Sequence, residues 1–394
     1  MKKFSLILSG LFWVNFVFSQ TCVTNAWQYF NQKNMTKARI ALEQCPQTDE
    51  VLNSPQYWLM KGNVYLQIAG SDAKSANPKF PDASLTAYES FVKAIVLNGG
   101  NHDVIKDKVF SAIQGLVYCG DFLFDKGLKC YNSQDYATAI KYMDYAIKCL
   151  NLANANDTTV VKAKDDANFI IALSAEETGD AELYRKTLEE AMMAGTNNTN
   201  IYLMLMGLYK ADNDAGKAFE IINNARNRFP QDVSLVLEEL NLLIWADKQD
   251  EFNTKMDIAL KTYADSLQMM ISLSNILISN KDFEKAEPVI LKLVEKQPAD
   301  FETNALSGAL YYLKAEEVGK EKDKAALERR FKEIQGFIDQ INVLNEKALI
   351  YLEKAYQKNS NEARNFIMYY QTLVQLRKPI SDDLKEKYNS LFKK

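Results

Sequence analysis

Leu188-Glu189-Glu190-Ala191, Ile222-Asn223-Asn224-Ala225, Met256-Asp257-Ile258-Ala259 and Ile290-Leu291-Lys292-Leu293 repeat one pattern, each copy 34 residues after the last. In every copy a bulky apolar residue stands three positions before a small or apolar one. The two therefore share one face of a helix. A fixed interval of this length is the period of a helix–turn–helix unit that cannot cover its own apolar face and stacks on its neighbours. Between the copies lie Asp212-Asn213-Asp214, Asp247-Lys248-Gln249-Asp250 and Asn280-Lys281-Asp282. These read as turns in which a short acceptor side chain caps the following helix.

Outward from this core the residues fall into a second regularity. Gly207, Ala218, Ile222, Ala225 and Pro230 form one set, and Ala286, Ile290, Leu293 and Pro298 another. Trp58, Gly62 and Tyr65, then Ala87, Phe91 and Ala94, form a third with an insertion between its halves; Gly127, Ala139, Met143 and Ala146 form a fourth without one. This succession of bulky, small, aromatic, small, apolar and Ala positions resembles the tetratricopeptide repeat (TPR) family, in its exported bacterial form. The departures are that Gly207 to Ala218 is one residue short and that Leu293 replaces the Ala. The resemblance covers most of residues 22–360. It implies an all-α fold, a right-handed α-solenoid of about eight TPR-like helical hairpins with a C-terminal capping helix pair.

The remaining units follow in order. Residues 22–46 read as a first hairpin carrying Trp27, Ala38, Leu42 and Cys45 and closed by Pro46, which cannot continue a helix. Gly70 to Pro81 reads as a loop, and helix resumes from Ala83 to Leu97. The third unit opens with a long helix, Val104 to Tyr131, and the fourth carries Phe169, Ala172, Ala175 and a Gly179-Asp180 turn. From Gly308 to Ala348 the spacing is 40 residues where the period asks for about 12. The excess begins with the charged run Glu316 to Lys324, and Ala325 to Asn342 reads as helix, so a protruding arm is expected. The domain plan is a solenoid over residues 20–360, with insertions near 70–81 and 314–345. Residues 361–394 cap it, with Tyr369, Tyr370, Leu373 and Leu376 turned inward.

Residues 1–19 stand apart. Lys2 and Lys3 precede an apolar run from Phe4 to Phe18 and then Ser19-Gln20. This is the order of a secretory signal peptide, with cleavage expected after Ser19. The run is short of the roughly 20 residues that span a bilayer, and no integral membrane segment is expected after cleavage. Ser19-Gln20-Thr21 is a poor approach to a lipidated Cys22. The setting implied is the periplasm or the outer surface of a bacterial envelope, with peripheral association one form of it.

Removing the first 19 residues leaves 45 basic against 51 acidic side chains, a balance of −6. Nucleic acid, which needs a basic stripe, is not an expected partner. Of five cysteines, Cys22 and Cys45 would lie level across the first hairpin, as would Cys119 and Cys149 across the third, leaving Cys130 over. They pair, or all five are small buried core residues. His102, the single histidine, excludes a multi-histidine metal centre and follows Gly99-Gly100-Asn101 as a loop residue. With no phosphate loop and no Cys-x-x-Cys pair, no catalytic residue and no cofactor is implied.

Binding is what such a solenoid does. Its first helices line a concave groove, and projecting the repeat onto this chain places Asn63, Asp125, Leu128, Phe169, Leu173, Met204, Leu208, Asn241, Trp245 and Asn275 there. An amphipathic helix or extended peptide with basic flanks would suit that surface. The other reading of the same positions is core, displaced by one residue. The expected function is a non-catalytic protein–protein interaction scaffold; the alternative is an envelope protein that binds glycans or other nutrients.

Overall fold

A computed structural model describes residues 21–72, 79–100, 111–153 and 158–392. Among them there is no strand. The signal-peptide expectation and His102 lie outside the described residues. Two compact units divide the chain, the first ending at Asn213 and the second beginning at Asp214.

The first unit contains α1 (residues 21–31), α2 (Met35–Glu43), α3 (Asp49–Leu52), α4 (Pro55–Asp72), α5 (Ala83–Leu97), α6 (Ala112–Asn132), α7 (Tyr136–Leu152), α8 (Thr158–Thr178), α9 (Ala181–Met193) and α10 (Thr199–Ala211). The second contains α11 (Ala215–Arg228), α12 (Val233–Trp245), α13 (Gln249–Thr262), α14 (Leu267–Ser279), α15 (Phe283–Lys296), α16 (Phe301–Leu327), α17 (Phe331–Lys358), α18 (Ala363–Gln375) and α19 (Asp382–Phe392).

The hairpin turns share one local solution. A residue at positive φ breaks the first helix, and the next residue caps the second. Lys33, Gln134, Gly179, Asn213 and Lys281 are the breakers; Asn34, Asp135, Asp180, Asp214 and Asp282 follow them, each accepting from the backbone N–H three residues on. Such a cap contributes about 1 kcal/mol. At Asp247 the positive φ is kept but Lys248 supplies no side-chain cap. The turn geometry therefore survives where its capping chemistry does not.

The 34-residue series is the core of the second helices. Leu188, Ala191, Ile222, Ala225, Met256, Ala259, Ile290 and Leu293 are all at most 3% exposed. First helices lie beside first helices: α4 on α6 and α6 on α8 in one unit, and α12 on α14, α14 on α16 and α16 on α18 in the other. Close approach within hairpins rests on missing side chains. A Cβ at Gly308 would stand 2.6 Å from Leu352 Cδ2, and one at Gly127 would stand 3.1 Å from Met143 Cε. Gly207 departs from its expected place in the pattern, since a Cβ there meets nothing within 4 Å.

Three other expectations are revised. The charged run Glu316 to Lys324 is helical, because Lys and Glu are good helix formers. The arm's turn falls at Glu328-Arg329-Arg330, and α17 begins at Phe331 instead of Ala325. Helix α19 buries no residue; it is held by Tyr388 stacked on Tyr370 at 4.0 Å and by Lys387 over the rings of Tyr356 and Phe366. Cys22 and Cys45 are bonded, whereas Cys119 and Cys149 are buried free thiols. Burial pushes both thiols above the usual range, which makes them unreactive core residues.

Candidate partner-binding surface

In the first unit the sequence-predicted positions divide by environment. Asn63 is fully buried, and its Nδ2 donates to the carbonyl of Leu59 at 3.0 Å. It belongs to the interior of α4, not to an exposed wall, which corrects the expectation. Leu128 is half-buried and packs against the core around Met143 and Ile171. Phe169, Leu173, Met204 and Leu208 are half-buried, and Asp125 is exposed. Asp125 lines a recess of about 260 Å³ between α4, α6 and the start of α5, together with Phe122, Lys126 and Asp72. Two contacts fix its rim: Lys126 donates to the carbonyl of Pro81, and Asp72 accepts from Phe80 N–H at 2.7 Å. Beside it, burial and then the charge of Asp125 raise the carboxyl of Asp121.

The second unit holds an opening of its own. A cleft of about 370 Å³ runs across three successive first helices, α14, α16 and α18. Asn275 lies in its wall. From α14 come also Gln268, Ser272 and Ser279; from α16, Glu302, Ala305 and Ala309; from α18, Arg364 and Met368. Small side chains on α16 make the space, while amides, hydroxyls, the carboxylates of Glu302 and Glu362 and the guanidinium of Arg364 edge it. The apolar floor is Ile271, Leu306 and Met368. That mixture suits a peptide, whose backbone offers donors and acceptors while its side chains need apolar cover.

The repeat extends this wall to α12. Asn241 stands 34 residues before Asn275, and Ala309 stands 34 after it. Asn241 is exposed, with Nδ2 3.3 Å from Glu238 Oε2, and Asn275 Nδ2 donates to the carbonyl of Ile271 at 3.2 Å. Trp245, one turn on, is 37% exposed at the register of Ser279. The structure thus brings Asn241 and Asn275 to equivalent positions on neighbouring first helices, with Trp245 one turn beyond Asn241.

Sequence reasoning missed Ser272, Glu302 and Ala305, and it read α18 as a plain cap although Arg364 and Met368 line the cleft. The signal for Ala309 was present, since the 34-residue step from Asn275 lands on it. Among the described residues no group of three or more His, Cys, Asp or Glu is placed to hold a metal ion. No described helix is long and apolar enough to cross a membrane.

No family model matches the sequence, and no curated protein does. Solved structures match it. A tetratricopeptide repeat protein from Parabacteroides merdae shares 15% identity over 64% of this chain and 98% of its own, with a TM-score of 0.38. Yeast Tom70 shares 14% over 94% of this chain and 85% of its own, TM-score 0.37. PilF of Pseudomonas aeruginosa shares 12% over 65% and 96%, TM-score 0.28. At these identities the likeness is one of fold.

Proposed function

Proceeding from a chain of tetratricopeptide-type hairpins, we propose that this protein is a non-catalytic scaffold that holds a peptide or helix of a protein partner against the exposed faces of its first helices. The cleft on α14, α16 and α18 is the principal seat. The observation that carries the reading is the repetition of Asn241 and Asn275 at one register, beside Trp245, on a wall whose small residues leave room for a chain. Exposed amides spaced by one repeat serve an extended or helical ligand better than a single small molecule. The cell envelope is the proposed setting, supported by the basic-then-apolar order of residues 1–19 and by the Cys22–Cys45 bond, because disulfides persist in oxidising compartments.

A photo-crosslinking residue at Asn275 tests this in cells. The expected result is a discrete protein adduct that is absent when the same probe replaces Ile258, an exposed position on α13, and lost when Ser272→Arg closes the cleft. Equal labelling from both positions would remove the proposal. Calorimetry against a glycan panel addresses the alternative ligand class, and no heat is expected.

A further inference from the structure

The arm made by α16 and α17 ends in a turn whose composition the fold itself does not require. The two helices run 27 and 28 residues where α14 and α15 run 13 and 14. Each therefore overshoots by roughly 20 Å at 1.5 Å per residue. The turn is well formed. Arg329 takes the positive φ, and Arg330 N–H donates to the carbonyl of Ala325 at 2.8 Å, with Ala325 fully buried. On either side of Arg329 stand Leu327, 86% exposed, and Phe331, 66% exposed. Apolar residues exposed singly are ordinary on a protein surface. Here two of them flank one turn at the far end of an arm.

The other hairpins show what is different about this turn. The residue two after the breaker is half-buried at Met35, Tyr136 and Phe283, whereas the equivalent Phe331 is bare. The residue directly after the breaker is an Asn or Asp cap in five hairpins. The arm places Arg330 there, as α13 places Lys248, and neither side chain caps. A cation at the start of a helix also opposes the macrodipole. The charges around it are uneven. From Lys322 to Glu333 there are five cations and three acids. All three acids are paired: Asp323 with Lys322 at 3.2 Å, and Glu328 and Glu333 with Arg330. Lys324, Arg329 and Lys332 are exposed and pair with no described carboxylate. Glu321, the nearest acid left over, lies six residues back from Leu327, about 9 Å along the axis.

We propose that this tip is a contact point for an anionic membrane surface. Leu327 and Phe331 enter the interfacial layer, while Lys324, Arg329 and Lys332 stand among the lipid phosphates. Apolar burial joined to free cations is the combination that holds a protein on such a surface. The shape agrees. A specific protein interface covers about 800 Å² on each partner, which two residues at the end of a hairpin do not supply. A bilayer asks only for a shallow apolar point with cations beside it. Two side chains and three charges give reversible binding, not a permanent anchor. The inference uses no residue of the cleft on α14, α16 and α18 and stands or falls apart from it.

Flotation of the exported, processed chain with lipid vesicles tests the contact. Binding is expected to an equal mixture of phosphatidylglycerol and phosphatidylcholine. It should fall by about tenfold with phosphatidylcholine alone, and likewise in high salt. Leu327→Ser with Phe331→Ser, and separately Arg329→Glu with Lys332→Glu, should each lower binding by about tenfold. Helicity should be unchanged in both, because all four side chains are exposed. Phe331→Trp should be quenched by brominated acyl chains, while Ile258→Trp on α13 should not. No binding to the mixed vesicles at low salt overturns the proposal, as does binding that either pair of substitutions leaves intact. So does a discrete protein adduct from a photo-crosslinker at Phe331 in cells without vesicle binding, which would assign the tip to a protein.

Discussion

A Cβ on Gly62 would stand 2.7 Å from Cδ1 of Phe91, the ring that also fills the space beside Gly115. Phe91 is fully buried and is clasped between α4 and α6 through two absent side chains. Gly62→Ala must displace the ring. Overpacking of this kind costs about 1–3 kcal/mol, offset by about 1 kcal/mol of gained helix propensity. A net loss of stability is expected, read as a lower thermal midpoint by circular dichroism. Phe91→Leu in the Gly62→Ala background should recover part of it, because the smaller side chain returns the space.

The Cys22–Cys45 bond joins residues 23 apart in sequence across the first hairpin. Helix α1 needs it, since Ala26 is its one buried residue and an end hairpin packs on a neighbour from one side alone. Replacing both cysteines by Ser should cost about 3 kcal/mol in the loop-closure account. Hydrogen exchange should locate the loss in α1 and α2 and leave α11 to α15 unchanged. A uniform increase in exchange through the whole chain would instead show that the first hairpin and the second unit unfold as one.

What the sequence disclosed follows from what it must encode. The positions Leu188 to Leu293 were legible because packing between hairpins admits only certain residues there, and every one of them is buried. The turns were legible because a short acceptor must follow a left-handed residue. The wall of the cleft was less so. Residues lining a cleft are released from packing, so Ser272 and Ala305 carry no periodic signal of their own. Asn63 shows the opposite error: a polar residue in a first helix was assigned to the wall, yet it turns inward because its amide returns a hydrogen bond to the Leu59 carbonyl. The charged run from Glu316 to Lys324 obscured the arm's turn, since a solvated helix and a loop share that composition.

Glu287 ties α15 to α16 and gives stability a pH dependence of known sign. Burial alone would raise its carboxyl, but hydrogen bonds from Lys314 at 2.6 Å and Tyr311 at 2.9 Å, with the charge of Lys347, hold it below the usual range. Its contribution is present above the unfolded value, about 4.3, and is lost as pH falls through the lower folded value. Tyr311 shifts the other way: burial first, then the bond to Glu287, raise its hydroxyl. Its contribution is present below about pH 10 and declines as pH rises further. Urea titrations should show both flanks. Glu287→Gln should flatten the acid flank, and Tyr311→Phe the alkaline one.

The cleft proposed to hold the partner predicts a separation of binding from folding. Trp245 and Asn275 sit on the exposed sides of α12 and α14, away from Leu240, Leu243, Leu273 and Leu277, which are buried and hold those helices in place. Trp245→Ala with Asn275→Ala should leave helicity and the thermal midpoint close to native, because substitutions of exposed residues usually stay within about 0.5 kcal/mol. Capture of the partner identified by crosslinking at Asn275 should fall at least tenfold, since an exposed aromatic and a repeated amide are the groups a docked chain would use. Leu273→Ala makes the contrasting control. It should cost about 2–5 kcal/mol through the cavity it leaves and reduce capture only in proportion to the fraction unfolded. Partner capture that survives the Trp245 and Asn275 substitutions intact would move the binding surface away from the first helices of this unit.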